Sequence, residues 1–278
     1  MRDDEPSKTA WRSAMFRASH QMWDNPRVLD DPLTLAIVGT AAQDSLRARG
    51  APATRDFEST IRAFTAARSR LVQDALGEAL ARGVRQFVVM GAGYETSSYG
   101  AHPGLRVFEI DHPATQAHKK ELLAASGIGG DVALVPVDFT RQTVQAELPR
   151  AGWDASQPTL FSWLGVTNYL TREQVLATLR FVASQPKGSE IVFDVSTPAS
   201  HLSLYERLVR LKVRLNNLRR GEATGTRFDP SAFAQEIKGL GFSRTEALEG
   251  PTLNARYFAG RSDGLKVSKR SAMIRAAV

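Results

Sequence analysis

Apolar residues recur at helical spacing between Ile61 and Arg82, at Ile61, Phe64, Leu71, Ala75, Leu76, Ala79 and Leu80, and Gly83 stops the run. This predicts a helix that delivers the chain into a first strand. The pattern then changes to short apolar runs without clean alternation: Gln86 to Met90, Arg106 to Ile110, Val132 to Val137, Thr159 to Trp163 and Glu190 to Val195. Runs of that kind suit strands covered on both faces, as in a parallel sheet. Helical stretches separate them, Ala114 to Ala125 and Arg172 to Ser184, the second opened by the capping box Thr171-Arg-Glu-Gln174.

Strand and helix in this alternation predict an α/β fold: a Rossmann-like, doubly wound, mostly parallel sheet of seven strands over residues 61–197 and 227–278. Residues 1–60 read as helix and loop punctuated by Pro26, Pro32 and Pro52, a helical cover for the carboxyl edge of the sheet. After Ser196-Thr-Pro the pattern breaks. Leu204, Leu208, Leu211, Leu215 and Leu218 make a three-four stripe, so an amphipathic helical insertion is expected within 198–226, after the fifth strand. Asp229-Pro230 caps a further helix to Leu240. Arg244 to Leu248 and Ala255 to Gly260 are then expected to close the sheet as an antiparallel hairpin, followed by a basic tail.

At 278 residues and 42% hydrophobic, the chain can build one large α/β domain. The absence of cysteine excludes disulfides and thiolate metal sites, and the five histidines show no metal-ligand spacing, so no metal is expected. The start, MRDDEPSK, has no apolar core, and the longest apolar stretch, near Leu33 to Ala42, is too short to span a bilayer; a soluble, cytoplasmic protein is expected. The net charge of +7 raises the question of nucleic acid. Residues 201–220 carry six Arg and Lys against Glu206, and residues 261–278 carry five against Asp263. The rest of the chain is therefore slightly acidic, and no nucleic-acid partner is expected.

The stretch FVVMGAGYETSSYG, Phe87 to Gly100, runs from a strand straight into a turn with Gly91 and Gly93 on either side of Ala92. In an open α/β sheet ligands bind beyond the carboxyl ends of the strands, where this turn falls. A dinucleotide fingerprint needs a third glycine, and Thr96 stands there instead. By itself the turn is compatible with a nucleotide cradle or with a tight strand-to-loop connection. Asp111 ends the second strand, twenty residues after Gly91, where an acid can accept hydrogen bonds from ribose hydroxyls or cap the next helix. Asp138 and Phe139 end the third strand, placed to meet the amino group and the face of an adenine. Acid and aromatic groups at successive strand ends favour a nucleoside, in NAD or in S-adenosylmethionine alike.

The segments Ala67-Arg-Ser-Arg-Leu-Val-Gln-Asp74, Gly83 to Gly93, Phe108-Glu-Ile-Asp-His-Pro113 with Lys119-Lys120, and Pro136-Val-Asp-Phe139 occur in the same order as in the leucine carboxyl methyltransferase family, which the chain resembles over residues 15–195. The resemblance implies a methyltransferase using S-adenosylmethionine. It implies that Arg68 holds the carboxylate of the cofactor's methionine part, that Gly91, Ala92 and Gly93 line methionine and ribose, and that Asp111 takes the ribose while Asp138 and Phe139 meet the adenine. Arg17, in Phe16-Arg-Ala, matches a basic residue of the family's cover and is expected to assist Arg68. Without the resemblance, Arg68 reads as a solvated charge on a helix. One departure stands out. Where the family has Glu-Gly-x-Leu-x-Tyr-Leu, this chain has Leu164-Gly-Val-Thr-Asn-Tyr-Leu170, so Leu164 replaces an acid that faces the cofactor, a role left to Ser162 or a backbone carbonyl.

For a sulfonium cofactor the enzyme needs to align an oxygen nucleophile and exclude water. A carboxylate acceptor needs no base, whereas a phenol does. His20 and His112 are the nearest base candidates, with His112 also readable as part of a helix start. Trp163, Asn168, Tyr205 and Tyr94 are candidates for the substrate side, Trp163 equally as core. The helix at 201–220 reads as a lid over the pocket or as a packed helix with a solvated face. The expected reaction is O-methylation of a carboxylate or phenol on a small, natural-product-like molecule. The alternatives are an NAD(P)-dependent oxidoreductase and a non-catalytic or RNA-directed member of the same fold.

Overall fold

The computed structural model describes residues 5–100, 102–138, 142–202 and 226–278. Seven strands form one sheet: β1 (Gln86–Met90), β2 (Arg106–Asp111), β3 (Val132–Pro136), β4 (Thr159–Trp163), β5 (Glu190–Ser196), β6 (Arg244–Leu248) and β7 (Ser271–Ala277). Their order is β3-β2-β1-β4-β5-β7-β6. The first five pair in parallel, and β7 runs antiparallel between β5 and β6. Strands β1 and β4 are buried at every position, which is why their sequences are apolar runs without alternation. Chain order reverses between β1 and β4, so the carboxyl ends of those strands flank the crevice where such sheets take ligands.

The helices follow from local signals. Asp56 caps α3 (Phe57–Ala81) by accepting from the Ser59 N–H at 2.7 Å. The buried face of α3 carries Ala63, Ala66, Ala67 and Ala75 among the larger Leu71 and Leu76, and small side chains let a helix lie close on the sheet. The capping box at Thr171 and Gln174 opens α6 (Arg172–Ala183) as its sequence predicts. His112 caps α4 (Pro113–Ser126), and α5 (Val144–Glu147) is one turn. The chain's first 50 residues contribute α1 (Lys8–Trp23) and α2 (Leu33–Arg49), which break from helical geometry only at Gly39 and pack through Ala14, Ala18, Ile37 and Val38 onto Tyr94 and Leu123. Beyond residue 226 come α7 (Pro230–Lys238) and α8 (Gly250–Tyr257).

The expected closing hairpin is half right. Arg244 to Leu248 is a strand, but Ala255 to Gly260 runs from the end of α8 into a turn, and the partner of β6 is β7. Pro251 in the first turn of α8 suits a helix start and would spoil a strand paired on both sides. The segment that fills the central slot is Ala272 to Ala276, buried at every position. Its Arg275, counted with a basic tail on charge alone, lies inside, with Nη2 2.6 Å from Glu190 and 2.8 Å from Glu78. No helix among the described residues is long and apolar enough to cross a membrane. The leucine-striped helix expected within 201–220 lies largely outside the described residues, as do Phe139 and Tyr205.

Candidate functional site

The carboxyl end of β1 enters the Gly91-Ala92-Gly93 turn, whose first two N–H groups donate to the Ile110 carbonyl on β2 at 2.8 and 3.0 Å. Gly91 has φ 73° and Gly93 φ 48°, conformations that residues with a Cβ adopt only under strain. Space excludes a side chain too: a Cβ on Gly91 would overlap a methyl of Val166, and one on Gly93 would lie 2.9 Å from the Cβ of Ala10 in α1. The turn is therefore pinched between the loop after β4 and the first helix, and both elements belong to the site.

Asp111 stands at the tip of β2. One carboxylate oxygen accepts from the Gly93 N–H and the other from the His112 N–H, both at 2.6 Å. Burial pushes its carboxyl above the ordinary carboxylate value, against those two hydrogen bonds and the charge of Lys119. A carboxylate has about four acceptor positions, so two remain for a ligand's hydroxyls. Asp138, beyond β3, is half-buried; its N–H donates to the Gln142 side chain at 3.0 Å.

Arg68 reaches the same end of the sheet from α3. Its Nη1 donates to Asp194 on β5 at 3.2 Å and its Nη2 to the Ser13 hydroxyl on α1 at 2.8 Å, while its Nε is buried and without a partner among the described residues. The other oxygen of Asp194 accepts from the Gly165 N–H at 2.5 Å, and a Cβ on Gly165 would come within 3.0 Å of Arg68. Leu164, beside them, packs on the apolar core under α3. Ser162 is 2% exposed within β4. The carboxylate beside the 164–165 turn is Asp194, reached across the strand pair that matches Trp163 with Phe193.

Arg17 is 3% exposed and serves the other side of the turn. Its Nη2 donates to the Tyr94 carbonyl at 2.6 Å and its Nε to the Thr34 hydroxyl at 3.3 Å, with Asp31 at 3.6 Å and Glu95 at 3.5 Å. Arg17 and Arg68 thus grip different partners. Thr96 is buried and donates to Asp31 at 2.6 Å, tying the loop to the start of α2. Burial opposes ionisation of Glu95, but Arg17, the Thr96 N–H and Lys119 hold its carboxyl below the ordinary value. Lys119 donates to the Glu95 carbonyl and to Glu109, each at 2.7 Å. This network of Arg17, Asp31, Glu95, Glu109 and Lys119 carries the loop; Arg17, Glu109 and Lys119 lie in segments that match the family, but nothing in the sequence announces that they meet.

Three of the four substrate-side candidates fall on described residues. Trp163 is 2% exposed, its ring 6.3 Å from that of Phe193. Asn168 accepts from the Ser196 hydroxyl at 2.9 Å in the turn after β4. Tyr94 lies edge-on against Trp11 and hydrogen-bonds His118 at 2.7 Å; burial and then the charge of Asp111 push its hydroxyl up to about 12, so it stays neutral at physiological pH. Tyr205 lies outside the described residues. The two base candidates are both occupied. His20 is fully buried: its Nε2 accepts from the N–H groups of Val28 and Leu29 at 3.0 and 3.1 Å, which leaves the proton on Nδ1, 2.7 Å from Asp24. His112 accepts from the Ala114 N–H as a helix cap.

The turn is followed only by a short 3-10 segment, Ser97–Tyr99. A pyrophosphate-binding loop requires the amino end of an α-helix there, with its N–H groups free to meet the phosphates.

The model of the leucine carboxyl methyltransferase family matches residues 10–183. A Bacillus subtilis protein that carries the provisional name S-adenosyl-L-methionine-dependent methyltransferase YktD is 28% identical over 95% of both chains. Two crystal structures share the fold at 18% identity: a DUF574 family protein from Streptomyces avermitilis, with TM-score 0.55 over 95% of this chain and 96% of that one, and a protein from Thermobifida fusca provisionally described as a methyltransferase, with TM-score 0.56 over 99% and 95%. With well over half of its length matched to that family's model, the chain belongs to the leucine carboxyl methyltransferase family.

Proposed function

We propose that this S-adenosylmethionine-dependent methyltransferase transfers its methyl group to an oxygen, carboxylate or phenolic, of a small-molecule acceptor, with neither His20 nor His112 acting as a general base. The methyltransferase class and its cofactor follow from the family. The chain's residues fit that cofactor: Gly91 and Gly93 leave bare backbone at the strand ends, Asp111 keeps acceptor positions open, and Arg68 holds a buried N–H in reserve for an amino-acid carboxylate. Bound there, S-adenosylmethionine supplies a methyl group already activated on sulfonium. What the protein adds is alignment of the acceptor and exclusion of water, in which the turn after β4 and α1 would take part.

The observation that carries the oxygen-acceptor reading is the state of His20 and His112. Each ring spends its acceptor nitrogen on backbone N–H groups, so neither is available to a substrate proton. An acid ionised at neutral pH is methylated without a base. The slight acidity of the chain outside its two basic segments, and the burial of Arg275 within one of them, favour a small molecule over RNA.

The test is an acceptor screen of aromatic and aliphatic acids and phenols, read by release of S-adenosylhomocysteine. With a carboxyl acceptor the rate is expected to be flat above about pH 6, where the acid is ionised; with a phenol and no base it rises about tenfold per pH unit toward the phenol's pKa near 10. A methyl ester is cleaved by mild alkali and an ether is not, which separates the two. Methyl transfer confined to nitrogen or to RNA would sink the proposal.

Asp111 provides an independent check on the cofactor site. Its ionised form accepts ribose hydroxyls and its protonated form gives up acceptor capacity. Since burial raises its carboxyl, affinity for S-adenosylhomocysteine is expected to decline with falling pH sooner than the ordinary value of about 3.9 would dictate. In Asp111→Asn the affinity is expected to be about tenfold or more weaker and that acid limb absent. Calorimetric titration across pH reads both, and a wild-type limb retained unchanged in the variant would dismiss Asp111 as the group responsible.

A further inference from the structure

We infer that Asp194 is the binding site for the ammonium group of the cofactor's methionine moiety, so that the Arg68–Asp194 ion pair opens to take a zwitterion, carboxylate to Arg68 and ammonium to Asp194. The inference rests on the cofactor site proposed above and assigns one more residue within it. Three observations lead to it.

The first is position. Asp194 lies in β5 one residue past the Trp163–Phe193 pair, beside the Leu164-Gly165 turn. Gly165 is within reach of Arg68, and the next residue, Val166, closes on Gly91 of the glycine turn. The pair therefore stands at the mouth of the crevice between β1 and β4.

The second is unused capacity. Arg68 has five N–H donors and a carboxylate has about four acceptor positions. Arg68 uses Nη1 on Asp194 and Nη2 on Ser13, with Nε buried and unpartnered among the described residues; Asp194 uses one oxygen on the Gly165 N–H and the other on Arg68. Each partner retains positions for an additional charged group.

The third is charge balance. Arg68 and Asp194 are 15% and 7% exposed, so the site is largely removed from water. Adding a carboxylate to a neutral pair in such a place would leave one buried negative charge uncompensated, which is costly. The methionine end brings its own compensation, since an α-amino group with a pKa near 8 is an ammonium at neutral pH. Leu164 carries no charge, and the nearby Glu95 is already engaged by Arg17 and Ser69. A methionine tail meeting Arg68 thus places its ammonium opposite Asp194.

Calorimetric titration of the full-length wild type and of Asp194→Asn, with S-adenosylhomocysteine and with its analogue lacking the amino group, decides the matter. The carboxamide oxygen can still accept from the Gly165 N–H, so the substitution removes the charge and spares the turn. The wild type is expected to prefer the amino-bearing ligand by roughly 10- to 100-fold and Asp194→Asn to lose most of that preference, because a hydrogen bond between charged partners is replaced by a neutral one. A preference that survives in Asp194→Asn, or a wild type indifferent to the amino group, overturns the inference. If Asp194→Asn does not fold by circular dichroism, Asp194→Glu replaces it: the preference is then expected to persist, with weaker binding overall, and its absence counts against the assignment. A folded wild type that binds neither ligand refutes the cofactor site itself, a result distinct from binding both equally.

Discussion

Replacing Lys119 with methionine is expected to cost the fold about 3–5 kcal/mol. Lys119 is fully buried on α4, 2.7 Å from Glu109, which is itself fully buried on β2. The Lys119 ammonium also donates to the Glu95 carbonyl and lies 5.2 Å from the centre of the Tyr99 ring, whose hydroxyl donates to Glu109 at 3.2 Å. Burial and then the charge of Glu109 raise that hydroxyl's pKa, so it stays protonated as a donor. Methionine matches the length of lysine and supplies no cation, which leaves the Glu109 charge in an apolar setting with the tyrosine alone. Thermal unfolding reads the result: at about 2–4 °C per kcal/mol, the midpoint should fall by roughly 6–20 °C. In Lys119→Met with Glu109→Gln most of the loss should return, because the penalty belongs to the abandoned charge more than to the broken pair. A midpoint shift below about 2 °C in the single variant would show that the pair contributes little. The loop is expected to feel the substitution as well, since the Glu95 carbonyl loses its donor just beyond the glycine turn.

The second large effect is on binding. Arg68→Ala is expected to weaken S-adenosylhomocysteine by about 100-fold, the sum of charge-assisted hydrogen bonds worth about 1.5–3 kcal/mol each less what water returns. Arg68→Lys should recover little, because an ammonium cannot reproduce the planar fork that meets a carboxylate with two parallel donors. 5′-Methylthioadenosine, which lacks the amino-acid tail, serves as the control: its affinity should be nearly the same in wild type and variant. Loss of both ligands to the same degree would mean that Arg68 supports the fold of the site rather than the tail. Asp194 makes this a sharp comparison, since removing Arg68 also leaves that carboxylate with only the Gly165 N–H among its described side-chain contacts.

A dinucleotide cofactor is the weaker reading for a structural reason already visible at Thr96. Where a third glycine would bring a helix close to a pyrophosphate, Thr96 instead turns inward to Asp31, and a short 3-10 segment follows. The residue that spoils the dinucleotide fingerprint is the one that fastens the loop to α2.

Much of the architecture was legible from residues close together in the chain. The strands β1 and β4 were readable because a strand buried on both faces must be apolar throughout, and α6 because a capping box is satisfied within four residues. The glycine turn and Asp111 were readable as a pair because positive φ demands glycine and a strand tip exposes its last side chain. What escaped was every choice of distant partner. Arg244 to Leu248 looked like a strand and was one, yet its neighbour β7 begins 23 residues further on, past a helix that the local pattern also allowed to be a strand. Lys119 and Lys120 are adjacent and chemically identical, but the packing of α4 buries the first against Glu109 and leaves the second in water. Asp194 sits in the apolar run Ile191-Val-Phe-Asp-Val195, where one acid was the only hint, and its meaning depends on Arg68 arriving from α3, 126 residues earlier. Sequence by itself determined the five parallel strands, the glycine turn and the family, since these rest on backbone preferences and short spacing. Tertiary structure alone decided which buried charges face one another, because a charge is tolerable inside a protein only beside its partner, and that partner is supplied by another part of the chain.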